Sequence, residues 1–417
     1  MNSRSIANIK ARQILNGRGI PAVEAEVWTQ GGVCGVASCP SGVSTSTFEA
    51  VDLRDGGTPF MGKGVLQAVQ NIREVVSPPL MGMDVTDQQK IDQTLIQLDG
   101  TSNKSRLGGN AVTAISLAVA KAAASFQGIP LYQYIAGSKP TKLPGLILNM
   151  LSGSRTAGNE LDFEDHLIVP FGFDSLPEAL QAGVEVFHTL HRMLQERFGP
   201  IPQITALAPP LRMTSEALDY LLEAIRRAGY EGRISLGIDA AAGLFYDPKR
   251  RKYRLQQGDL TREEMILHYE ILAKKYPILF LEDGLQEDDF EGFGELTRKL
   301  HGLVVGDDLF ATNKERLLKG VEHHAANALL FKINQAGTLS EALETAVTAK
   351  NNGYAIVSSV RSGETEDSAQ ADLAVAVAAK FMKLGAPIRG EMITKYNRFL
   401  RIAEELGENT GYRGKEF

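Results

Sequence analysis

A chain of 417 residues is too long for one small core and suits a modest domain joined to a larger one. Hydrophobic residues make up 43% and charged residues 23%, ordinary values for a globular enzyme. The net charge of −6 argues against nucleic acid or an anionic membrane as partner, and no apolar run approaches the roughly 20 residues that cross a bilayer.

In chain order, the N-terminal MNSRSIANIKARQIL lacks the apolar core of a secretory signal, so a cytoplasmic protein is expected. Short β-like runs follow, AVEAEVWTQ and GVCGVASCP, punctuated by glycine. Cys34 and Cys39 have no nearby histidine, which is no metal pattern; two small residues packed beside a strand in a reducing compartment is the simpler reading. From about residue 62 to 136 the pattern turns helical, with NAVTAISLAVAKAAASF carrying apolar positions at three- and four-residue steps. Strands and then helices predict an α+β domain over 1–138, and AGSKPTKLPG reads as a linker. Beyond it, over 139–417, apolar runs alternate with helices: RISLGID, PILFLED, LVVGDD, NALLFKIN and YAIVSSVR. That alternation predicts a parallel sheet, closed as a barrel or left open.

Each of these runs ends in an ionisable residue: Asp239, Glu282, Asp307 with Asp308, Lys332 and Arg361. The spacings of 43, 25, 25 and 29 residues suit βα units, so in a barrel the side chains would converge on the C-terminal rim. Converging carboxylates repel unless a cation neutralises them, and oxygen donors without His or Cys favour Mg²⁺, with Mn²⁺ as the alternative. Any one acid could instead cap its following helix; three on consecutive strand ends argue for a site. Lys332, set among apolar neighbours, is expected to have a lowered pKa and to serve as a base, the competing role being a structural ion pair. Arg361 and Ser362 would bind a phosphate or carboxylate, while Glu364, Glu366 and Asp367 read as first-turn acids of the next helix.

The stretches NGRGIPAVEAEVWTQGG, PSGVST, LGGNAVTAISLAVAKAAA, FLEDGL, GDDLFATN, LLFKINQAGTLSEA, RSGETED and KYNRFLRIAEELG resemble those of the enolases (phosphopyruvate hydratases) from end to end. The resemblance implies an α/β fold: an enolase-like N-terminal α+β lid domain followed by a (β/α)8-type, TIM-like barrel. It implies that Asp239, Glu282 and Asp307 hold Mg²⁺ and that Ser44 helps ligate a second ion. Lys332 would take the proton α to the carboxylate, Lys395 would neutralise that carboxylate, and Arg361 and Ser362 would bind the phosphate. The partner would be a small phosphorylated carboxylic acid. Arg12 matches a family dimer contact, so a homodimer or higher homo-oligomer is expected.

The sequence departs from the family at the leaving-group side. Val360 stands where the enolases have histidine, and Thr156, or Arg155, stands at a second histidine position. A Gln-Glu pair becomes Glu164-Asp165, which leaves Glu164 as a substrate contact and Asp165 as the catalytic carboxyl. The family's acidic Gly-Asp-Glu-Gly-Gly loop is replaced by a segment with no Asp or Glu between Glu196 and Glu216. General-acid help is worth roughly 10²–10⁴-fold. The leading expectation is therefore an enolase-like lyase that forms an enolate from 2-phosphoglycerate or a related phosphorylated or phosphonylated hydroxy acid, with altered leaving-group chemistry. The alternatives are a genuine phosphopyruvate hydratase with a relocated acid, and a non-catalytic binding or scaffold protein.

Overall fold

The structure, a computed structural model, describes residues 3–42, 46–407 and 410–416, with side chains for all of these except Arg155 and Thr156. Ser44 lies outside the described residues. An antiparallel sheet opens the chain, with strands Ile6–Leu15, Pro21–Thr29 and Cys34–Ser38 in that order. The helix Gly109–Gln127 packs on it and is buried along nearly its whole length. Gly35 is where the two surfaces meet most closely: a Cβ there would stand 2.0 Å from the Ala118 carbonyl oxygen. This helix is long and apolar enough to cross a membrane by composition alone, but 83% of its apolar window is buried within the protein. Alanine at the contact positions lets it lie close to the sheet, and this explains its apolar character. Cys34 and Cys39 are free thiols, half-buried and buried respectively.

Eight strands then close a barrel: Gly145–Ser152, Asp165–Pro170, Ile234–Asp239, Ile278–Glu282, Leu303–Gly306, Ala328–Phe331, Ala355–Ser359 and Phe381–Leu384. The sequence reading reached five of these. It missed the first two and the last, and it expected an all-parallel sheet. Asp165–Pro170 runs antiparallel to both neighbours. The physical reason is its connection: the twelve residues from 153 to 164 hold a single helical turn, Ser154–Ala157, too little for the crossover that parallel strands need. Two long helices, Leu176–Phe198 and Thr214–Arg227, come after this strand instead.

Side chains alternate across each strand, so the barrel interior can be read at a period of two. Ile147, Leu167, Phe280, Val305, Leu330, Val357 and Phe381 form part of a compact inner core. Two residues further toward the open end stand Asn149, Asp165, Glu282, Asp307, Lys332, Ser359 and Lys383. Because its strand runs the other way, Asp165 reaches that rim from a strand's beginning rather than its end. The apolar plug thus sets a floor on which the polar layer rests.

Candidate active site

The polar layer forms one cleft at the barrel mouth. Asp239 lies in register with Glu282 on one side and with Asp165 on the other. Lys383 Nζ donates to Asp239 Oδ2 and to Glu282 Oε2, each at 2.6 Å. Lys332 Nζ donates to Asp307 Oδ2 at 2.5 Å. Gln335 Nε2 donates to the other Asp307 oxygen at 2.8 Å.

Burial opposes ionisation of Asp307, but Lys332 and Arg361 outweigh it and hold the carboxyl below its usual range. Glu282 is pushed well above the carboxylate range, by burial first and then by Asp239. Lys332 departs from the expected lowered pKa. Burial does push it down, but the ion pair with Asp307 outweighs burial and raises it. Lys383 is raised in the same way by Asp239 and Glu282 against the effect of burial.

Lys395 requires a correction. It lies on the helix Gly390–Leu406, on the buried face with Met392, Tyr396, Phe399 and Ile402. Its Nζ donates to the Thr365 carbonyl at 2.6 Å and pairs with Glu364 at 2.9 Å. It braces the loop behind Arg361 and does not line the cleft. The second lysine at the barrel mouth, beside Lys332, is Lys383, and sequence reasoning missed it. Its signal was the alternation in FMKL, which places Lys383 on the same face as the inward Phe381. Glu364 is likewise no first-turn acid: it accepts from the Arg361 N–H at 2.9 Å as well as pairing with Lys395. Asp367 does accept from the Ala369 N–H that opens the helix, at 2.9 Å, and it also pairs with Lys121 across the domains.

Asp283, Asp307 and Asp308 bring carboxylate oxygens within 4.8 Å of one another. Asp283 belongs to the turn: its two oxygens accept from the backbone N–H groups of Asp307 at 3.0 Å and Asp308 at 2.7 Å. Its backbone is left-handed, at φ 43°, and these bonds hold that conformation in place. Asp308 is pushed up to about 8, by burial and then by Asp307. With Asp239 and Glu282 beside them, these five acids outnumber the four cleft cations Arg18, Lys332, Lys383 and Arg361. The donors are all oxygens, held on rigid strand ends, and the excess negative charge fits a hard divalent ion. The resemblance gives that ion to Asp239, Glu282 and Asp307, of which Asp307 belongs to the group of oxygens gathered here.

On the leaving-group side, Glu164 and Asp165 both line the cleft. Asp165 Oδ1 accepts from Asn149 and, at 3.1 Å, from Ser152. Ser152 also meets Thr205 at 3.3 Å. Burial raises Asp165 to about 6, with Lys383 pulling it down. Glu164 stands well above the carboxylate range, through burial and then Asp239 and Asp165. The acid-free segment contributes Ile204 and Thr205 to the cleft, and Val360 lines it as well. Arg212, in the same segment, is exposed and paired with Glu160 at 2.7 Å.

Arg361 is buried, and Ser362 lines the cleft beside it. The loop they sit on is knit to the N-terminal domain. Ser41 N–H donates to Gly363 at 3.0 Å and Gly17 N–H to Glu364 at 2.8 Å. A Cβ at Gly363 would stand 2.6 Å from Ser41 Oγ, so only glycine allows this approach.

Known families match both domains in sequence. The model of the enolase N-terminal domain matches residues 6–135, and that of the enolase C-terminal TIM barrel domain matches residues 140–417. A protein named enolase from Methanopyrus kandleri is 50% identical over 96% of this chain and 96% of its own length. Enolases from Methanococcus vannielii and Methanocaldococcus jannaschii are 47% and 48% identical, covering 100% and 99% of this chain and 99% and 98% of their own lengths. The chain belongs to the enolase family of Mg²⁺-dependent lyases.

Proposed function

We propose that this enzyme is a phosphopyruvate hydratase, converting 2-phosphoglycerate to phosphoenolpyruvate and water, with the acid function moved onto the Glu164–Asp165 pair. Full-length similarity to proteins named enolase favours this over altered leaving-group chemistry and over a silent scaffold. The observation that carries the relocated acid is the pair itself, two adjacent carboxyls in the cleft, both raised by burial.

Arg361 and Ser362 take the phosphate in this reading, and Lys383 faces the substrate carboxylate in the role first assigned to Lys395. A bound Mg²⁺ would neutralise Asp239, Glu282 and Asp307 and polarise the substrate carboxylate. Freed from the hold of Asp307, Lys332 can be a neutral amine that accepts the C2 proton. The C2–H electron pair becomes the C2=C3 bond as C3–O breaks. The departing hydroxide takes the Glu164–Asp165 proton and leaves as water. Lys332 then carries one extra proton and the acid pair one fewer, a balance that solvent restores. The same reading carries a cytoplasmic homodimer, supported by the free thiols and by exposed Leu15 and Val36 near Arg12.

The test is proton NMR of the purified protein with Mg²⁺ and 2-phosphoglycerate in D₂O. Sustained phosphoenolpyruvate formation is expected. Deuterium entering C2 without product would overturn the hydratase reading and leave the altered leaving-group reading, which Val360 and the acid-free segment favour.

A further inference from the structure

The N-terminal domain brings a carboxylate against Arg361, which lines the cleft. Glu49 is 7% exposed and lies against Arg361, whose Nη1 donates to Oε2 at 2.7 Å and Nη2 to Oε1 at 3.3 Å. Gln335 Nε2 donates at 3.3 Å to the same Glu49, while also donating to Asp307. The orientation of that amide is fixed, because Thr312 Oγ1 donates to Gln335 Oε1 at 2.7 Å. The segment has a second anchor on the barrel: Ser46 Oγ donates to Glu287 at 2.7 Å.

Arg361 therefore already faces Glu49, with Asp307 and Asp308 close enough to act on its charge. A phosphate group would bring up to two further negative charges to the same buried guanidinium. Charges this close in a water-poor cleft repel strongly, so the guanidinium cannot hold every anion equally well. Asp307 and Asp308 are fixed at a strand end; Glu49 alone of the three is carried by the other domain.

We propose that Glu49 is an internal anion that competes with the substrate's phosphate for Arg361. It keeps the buried guanidinium paired until phosphate arrives, and its release ties phosphate entry to the position of residues 46–49. The inference rests on Arg361 being the phosphate-binding residue.

Isothermal calorimetry of inorganic phosphate binding to the full chain with Mg²⁺ tests both steps. Glu49→Gln keeps the size of the side chain and removes its charge, so phosphate should bind at least tenfold tighter, and KM for 2-phosphoglycerate should fall. Glu49→Asp, which restores the charge, should return affinity toward wild type. A brace that merely orients Arg361 predicts the opposite sign, so weaker or unchanged binding in Glu49→Gln overturns the competition. Arg361→Lys should weaken phosphate binding; if it does not, or if wild type and Glu49→Gln both fail to bind phosphate, the assignment of Arg361 itself falls.

Discussion

Two buried lysines separate catalysis from support at the scale of single residues. Lys383 spans Asp239 and Glu282 inside the barrel mouth, whereas Lys395 pairs with Glu364 behind the cleft wall. Lys383→Met should remove a charge aimed at the substrate and lower kcat by about 10²–10³-fold or more, the scale of a lost electrostatic contact. Lys395→Met leaves Glu364 buried without its ammonium, which costs about 3–5 kcal/mol of stability. Its kcat per folded molecule should stay within about tenfold of wild type. Steady-state rates alongside urea unfolding separate the two; equal losses of kcat would refute the assignment of Lys383. The pair also shows how a resemblance can misplace a role. ITKYN is a conspicuous motif, but its lysine is spaced with the buried face of a helix, and the barrel lysine sits in a four-residue strand inside an alanine-rich run.

At the scale of elements, what was legible followed from spacing. The five strands whose ends carry Asp239, Glu282, Asp307, Lys332 and Arg361 announced themselves as apolar runs closed by charge, and βα-sized intervals brought the charges to one rim. GLILNMLS is just as apolar but ends in serine, so nothing flagged it as part of the site. The strand Asp165–Pro170 was hidden for a different reason. It is reversed, so its functional residues precede the apolar run, and a search of strand ends passes over them. That reversal is what puts Glu164 and Asp165 opposite Lys332, and it makes the acid pair testable. Glu164→Gln should slow phosphoenolpyruvate formation by about 10²–10⁴-fold, the worth of a general acid. Deuterium exchange at C2 should continue, because Lys332 is untouched. In wild type the acid must be protonated to act, so kcat should fall as pH rises through its pKa. Asp165 stands at about 6 and Glu164 is also well raised, so the alkaline limb should lie above the ordinary carboxylate range. A limb below pH 5, or full activity in a variant with both Glu164→Gln and Asp165→Asn, would remove the pair from the mechanism.

For the whole molecule, the fold gathers acids from both halves of the barrel into one cleft, and its stability should register their repulsion. Asp308 is raised to about 8 in the folded chain, and Glu282 and Glu164 are raised as well, against roughly 4 for free carboxyls. A folded state that binds more protons than the unfolded state loses stability as pH rises. The loss begins near pH 4 and continues until the folded groups have titrated, near pH 8 for Asp308. Mg²⁺ replaces those protons, so its binding should release protons and tighten over the same interval. Magnesium at about a hundred times its Kd contributes about 2.7 kcal/mol, roughly a 3 °C rise in Tm for a chain of this length. Thermal unfolding with EDTA and with Mg²⁺ at pH 6 and pH 8 should therefore show Tm falling with pH in the metal-free protein and a larger Mg²⁺ increment at pH 8. Calorimetry in two buffers of different ionisation enthalpy should count the released protons directly. A Tm indifferent to Mg²⁺ at both pH values would mean that Lys332 and Lys383 balance the cleft by themselves, and the ion proposed for Asp239, Glu282 and Asp307 would then have no place there.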